Sequence, residues 1–183
     1  GLSQDVETDD SVLRQTSARL PWLLIGMAGG IGSSMILGNF DNTFAAHPEM
    51  ALFIPLIGGT GGNVGTQSSA IVVQGLANSS LDASNTWKQI LKESVVALIN
   101  ATIISMLVYI YNFICFGATA TVTYSVSLSL FAVIMFASIF GTLVPLTLNK
   151  MKIDPAIATG PFITTTNDIL AMVFYMGITA LLA

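Results

Sequence analysis

The chain has 183 residues, 53% of them hydrophobic and 9% charged, with a mean hydropathy of +0.77. A water-soluble domain carries roughly a quarter of its residues charged, so the composition predicts an integral membrane protein. The net charge of −4 says nothing about nucleic acid, but there is no basic patch to bind it, and a lone cysteine, Cys115, excludes an intrachain disulfide.

Gly1 to Asp10 is polar and acidic, which is not the pattern of a cleavable signal peptide. It reads as the tail of a preceding linker, with this chain part of a longer one. The acids Asp5, Glu7, Asp9 and Asp10 are most simply solvated; the sharper alternative is a cation-sensitive contact with a regulatory domain. Residues 1–19 are therefore expected to be a cytoplasmic linker, with an amphipathic segment beginning at Val12, Leu13 and Arg14. Pro21 suits a first-turn position and Trp22 the membrane interface.

Charged and polar residues then divide residues 20–183 into apolar spans at about 20–40, 50–77, 94–116, 125–148 and 155–182. Each has about the 20 residues that a helix needs to cross roughly 30 Å of hydrocarbon, and none alternates as a barrel strand would. The expected fold is an all-α membrane domain of five transmembrane helices. Arg14 and Arg19 precede the first span, Lys88 and Lys92 separate the second from the third, and Lys150 and Lys152 separate the fourth from the fifth. All six basic residues fall on one face, which the positive-inside rule makes cytoplasmic. The N-terminus is then inside, the C-terminus extracytoplasmic, and the location a multi-pass cell inner (plasma) membrane.

The first span carries Gly26, Gly30, Ser34 and Gly38, a spacing of four that suits close helix packing. His47, beside Pro48, reads as a surface-loop histidine, and Cys115 as a small packed hydrophobe. Asp82, Ser84 and Asn85 have only turn and capping roles. The second span is unusual. Residues 55–69 hold five glycines and six polar side chains in fifteen positions. Thr60, Asn63, Gln67 and Gln74 share one stripe, while Gly58/Gly62 and Gly61/Gly65 form small-xxx-small pairs. Pro55 is expected to leave the carbonyl of Ala51 uncovered. Packing alone accounts for the glycines; the amide stripe fits a hydrated lumen better. No Lys follows the glycines, so a phosphate-cradling loop is excluded.

In the fifth span, Pro161 is expected to deprive the carbonyl of Ile157 of its helical donor, with Gly160 loosening the turn. Thr164 and Thr165 stand a turn before Asp168. Asp168 is the only charged side chain within any of the five spans. A carboxylate at that depth costs about 2.5–3.5 kcal/mol on insertion scales. It is either kept neutral by hydrogen bonds to a neighbour or ionised and facing water and a passing cation. The second reading is preferred.

Arg19-Leu20-Pro21-Trp22, Pro55 followed by Gly58 to Ser68, and Asp154-Pro155-Ala156 with Gly160 to Thr165 and Asp168 together resemble the MgtE family of magnesium channels, over essentially the whole chain. The resemblance implies a homodimer with its ion path at the subunit interface, lined by spans two and five. It implies a hydrated Mg²⁺ held by Asp168, with Thr164, Gly58 and Gly61 contributing, and a wall of Thr60, Asn63, Gln67, Thr165 and Pro161. It further implies cytoplasmic regulatory domains that this chain does not contain.

Physical chemistry points the same way. Mg²⁺ dehydrates reluctantly and is held through its waters by one or two carboxylates, which a twofold axis would supply as two copies of Asp168. The expected function is passive Mg²⁺ conduction, with the bilayer, Mg²⁺ and a second copy as partners and no enzymatic activity. An ion- or proton-coupled secondary transporter is the alternative, although five spans show no convincing repeat. An intramembrane aspartyl protease has only the proximity of two Asp168 residues in its favour and lacks a second acid or a histidine at depth.

Overall fold

The computed structural model describes residues 6–79, 81, 86–116, 120–156 and 160–182, and these are helical or short turns, with no strand among them. Asp5, the Asp82–Ser84–Asn85 loop, residues 117–119 of the expected Gly117–Tyr124 turn and the carbonyl of Ile157 lie outside the described residues; residues 120–124 already belong to a helix.

The first helix, α1, runs Val12–Gly38 and starts where the hydroxyl of Ser11 accepts from the N–H of Arg14 at 3.4 Å. At 1.5 Å per residue it is about 40 Å long. The amphipathic segment and the first span are therefore one helix, and Pro21 lies inside it rather than in its first turn. A short helix α2 (Asp41–Ala46) and a 3-10 turn (Pro48–Phe53) follow, with His47 between them, 3.4 Å from the carboxylate of Glu49.

Helix α3 is Ile54–Ala77. Pro55 falls in its first turn, where no intrahelical donor is needed. The carbonyl of Ala51 is not left open, because the N–H of Ile54 takes it. Helices α4 (Thr86–Phe116) and α5 (Ala120–Lys150) are longer. At the end of α5, Lys152 adopts φ +60°; the N–H of Ile153 bonds the carbonyl of Leu148 at 2.9 Å and that of Lys152 bonds Asn149 at 3.1 Å. This is the helix-stopping arrangement usually built on glycine.

Helix α6 is Pro161–Leu182. The fifth span thus begins at Pro161, which occupies the first helical position instead of kinking a helix already under way. The N–H groups of Ile163 and Thr164 both reach the carbonyl of Gly160.

Among the described residues, four helices (α1, α4, α5 and α6) are long and apolar enough to cross a membrane. Helix α3 has the length, about 36 Å, but its glycines and amides dilute its hydropathy. Helix α5 sits at the centre, with α3, α4 and α6 around it, and α1 packs against α6. Met50, Phe53 and Ile57 join Val126, Leu130 and Ile134 of α5 and Met172, Tyr175 and Met176 of α6 in one core. The hydroxyl of the fully buried Tyr175 donates to the carbonyl of Met50 at 2.8 Å, tying the 3-10 turn to α6. Leu23, Met27, Ile31 and Met35 of α1, and Leu98, Ile99, Ile103 and Met106 of α4, are exposed, as lipid-facing side chains are. Cys115 is also exposed, not packed inside.

The close helix contacts use other glycines than the Gly26–Gly30–Ser34–Gly38 row. A methyl group on Gly26, Gly30 or Gly38 would meet nothing within 4 Å. Gly29, where a methyl group would collide with the side chain of Thr165, and Gly32, where it would lie 3.6 Å from Ile169, are where α1 meets α6. Backbone comes closest to backbone at a glycine between α3 and α5. A methyl group on Gly141 would fall against the backbone of Gly65, 3.1 Å from both its Cα and its carbonyl carbon.

Candidate functional site

Helix α3 presents two different faces, and the site is built on the boundary between them. Ile57, Gly58, Gly61, Gly62, Gly65, Ser68, Ser69 and Val72 are buried. Gly59, Asn63, Gln67, Ala70 and Gln74 are exposed, and Thr60 is half-buried beside them. The inner face is nearly all small residues because α5 and α6 lie almost against its backbone.

Asp168 stands where α6 crosses this helix. Its Oδ1 is 3.4 Å from the point where a β-carbon on Gly62 would sit and 3.9 Å from the corresponding point on Gly58. The side chain of Thr164, one turn earlier, is 3.8 Å from the same position on Gly62. Two glycines a turn apart on α3 thus leave room for the carboxylate and the threonine of α6. Asp168 is half-buried rather than enclosed, so the carboxylate is open on one side. The hydroxyl of Thr164 donates to the carbonyl of Pro161 at 3.2 Å, and that of Thr66 to the carbonyl of Gly62 at 2.8 Å.

The other expected residues divide. Gly58 and Thr164 adjoin Asp168. Gly61 points the other way, toward Val133 and Ala171, and its carbonyl accepts from Nδ2 of Asn167 at 3.3 Å. Gly62 therefore shares the carboxylate's face where Gly61 does not. Asn63 and Gln67 lie exposed along α3, with Thr60 half-buried at the edge of the same stripe. Thr165 packs on Gly29 of α1, away from α3, and Pro161 opens α6 two turns before the acid. Among the described residues no three His, Cys, Asp or Glu side chains converge on one point. A carboxylate with hydroxyls and amides nearby is a donor set for a hard cation held through its water shell.

The family model MgtE, described as a divalent cation transporter, matches residues 54–178, the stretch that holds every element of this site. The chain belongs to the MgtE family. It is similar to the magnesium transporter MgtE of Bacillus subtilis (strain 168), 34% identical over 96% of this chain and 39% of that protein. It is also similar to the magnesium transporters MgtE of Enterococcus faecalis, 30% identical over 96% of this chain and 38% of the relative, and of Thermus thermophilus, 30% identical over 90% and 36%. The chain spans roughly two fifths of the length of these curated relatives. MgtE membership and the four long apolar helices make it a multi-pass membrane protein.

Two polar residues of this MgtE chain escaped the sequence reading. Asn167, 1% exposed, ties α6 to the backbone of α3 beside Asp168; its neighbours Thr164 to Asp168 were the available signal. Glu93, 7% exposed, is buried within α4, so Asp168 is not the only charged side chain inside the bundle. The hydroxyls of Ser68 on α3, at 2.6 Å, and Ser138 on α5 both donate to its Oε1. Glu93 lies directly after Lys92, at the edge of the apolar run, where an acid reads as part of a solvated rim.

Proposed function

We propose that the chain forms the membrane pore of a passive Mg²⁺ channel, in which two copies bring their Asp168 carboxylates to one water-filled path. The observation that carries this reading is the half-open carboxylate seated over Gly58 and Gly62, with the exposed Asn63–Gln67 stripe continuing along the same helix. A carboxylate facing lipid would be costly; facing a hydrated divalent ion it is stabilised by the ion's charge. The choice of Mg²⁺ comes from the relatives, which are magnesium transporters.

In this reading α3, the second span in chain order, also crosses the membrane and brings the total to five, tolerated because its polar face lines the path and not the lipid. The six basic residues then all lie on the cytoplasmic side, with the N-terminus inside and the C-terminus outside. The ion keeps its inner waters, which donate hydrogen bonds to Asp168, Thr164, Thr60, Asn63 and exposed backbone carbonyls; Pro161 flanks the approach, while Thr165, turned to α1, does not line it. The inside-negative potential drives entry with about 2.3 kcal/mol per charge per 100 mV, doubled for a divalent ion.

The test is Asp168→Asn in patches or planar bilayers. At an effective dielectric constant near 20, a unit charge pair 4 Å apart is worth about 4 kcal/mol, so loss of the carboxylate lowers Mg²⁺ current by about tenfold or more. Unchanged conductance and selectivity would remove Asp168 from the mechanism. A reversal potential that tracked Na⁺ or pH stoichiometrically would replace the channel with a coupled transporter.

A further inference from the structure

On the far flank of α3 from Asp168, a cavity of about 240 Å³ opens between α3 and α4 with α5 as its floor. Its polar lining is Gln67 and Ser68 of α3, Gln89, Glu93 and Asn100 of α4, and Ser138 of α5; Lys92 stands at its rim, exposed. We propose that this cavity is a second cation site, taking a divalent ion with its water shell, on the opposite side of α3 from Asp168. It goes beyond the channel reading and does not depend on it for its chemistry.

Three features of the cavity lead there. Glu93 is the one buried carboxylate of α4, and both serine donors converge on Oε1. Two hydroxyls donating to one oxygen hold the group in a single orientation. Second, the volume suits the ligand. A water occupies about 30 Å³ of liquid, so an ion with six waters needs roughly 180 Å³ and fits, whereas the lone acid offers no set of direct protein ligands for a bare ion. Third, the cavity can be reached: Gln67 and Asn100 of its lining are exposed, so a hydrated ion can approach Glu93 between α3 and α4. Lys92 makes the site a weak one: a like charge at the rim raises the energy of the occupied state and favours release.

The purified 183-residue chain in nanodiscs is titrated with Mn²⁺, read by the loss of free Mn²⁺ signal in electron paramagnetic resonance. Wild type should bind two classes of ion. Glu93→Gln keeps an oxygen that accepts from both serines, so it should melt as wild type does and lose one class, weakened at least tenfold. Asn100→Leu fills the cavity without touching the Ser–Glu bonds and should lose the same class. Lys92→Gln should tighten that class several-fold; weaker binding in this variant would mean an anionic occupant and overturn the proposal. So would Mn²⁺ binding unchanged in both Glu93→Gln and Asn100→Leu. Asp168→Asn should remove the other class alone. If it removes nothing while Glu93→Gln removes a class, the channel reading centred on Asp168 fails and the second site stands.

Discussion

Gly141→Ala tests the packing on which the candidate site depends. The new β-carbon would lie 3.1 Å from two backbone carbons of Gly65 and closer still to its carbonyl oxygen, against an optimum of about 3.5–4.0 Å between carbons. Backbone cannot rotate away as a side chain can, so α3 and α5 must separate. Overpacking of this kind costs about 1–3 kcal/mol. Alanine is also the better helix former, by about 0.8–1.0 kcal/mol, which blurs the result of any one variant. Gly30→Ala is the control, because its methyl group meets nothing within 4 Å while its gain in helix propensity is similar. The difference between the two isolates the collision, and at about 2–4 °C per kcal/mol for a chain of this size they should melt roughly 2–12 °C apart, Gly141→Ala lower. The assay is thermal loss of the monodisperse peak in detergent. If the two variants melt together, the α3–α5 crossing is not as close as described, and the placement of Gly58 and Gly62 against Asp168 loses its support.

Two further substitutions probe single bonds. Tyr175→Phe removes the donor to the Met50 carbonyl within the core and should cost about 1–2 kcal/mol in the same melt; an unchanged midpoint would mean the 3-10 turn is held by packing alone. Asn167→Asp replaces the amide donor facing the Gly61 carbonyl with an acceptor at a site 1% exposed, and should destabilise by about 1–3 kcal/mol. Wild-type stability of that variant at neutral pH would show that the α3–α6 contact does not need the bond.

How much of this was legible in the sequence depended on whether the signal was local. Asp168 was, because a carboxylate deep in an apolar run has no ordinary explanation, and so was its partnership with a glycine-rich helix. Which glycines meet it was not. A spacing of four selects a stripe but not which neighbour covers it, and so Gly62 shares the carboxylate's face while Gly61 turns toward α5. For α1 the same ambiguity favoured the row beginning at Gly26, whereas contact falls on Gly29 and Gly32. The prolines were misplaced for a different reason. Hydropathy marks the slab a helix crosses, not where the helix starts, so Pro21 fell inside α1, while Pro55 and Pro161 fell in first turns. Glu93 was hidden because its burial is decided by serines 25 and 45 residues away.

The dual character of α3 bears on how the protein is made. A segment with glycine on one side and amides on the other gains little from oil by itself, so it is a poor candidate for early, independent release from the insertion machinery. Its crossing partner, Gly141, emerges only after α4 and about two thirds of α5 have been synthesised. Until then the helix must wait beside the translocon or at the membrane surface, and a mutation that delays α5 should be felt first as degradation of the nascent chain.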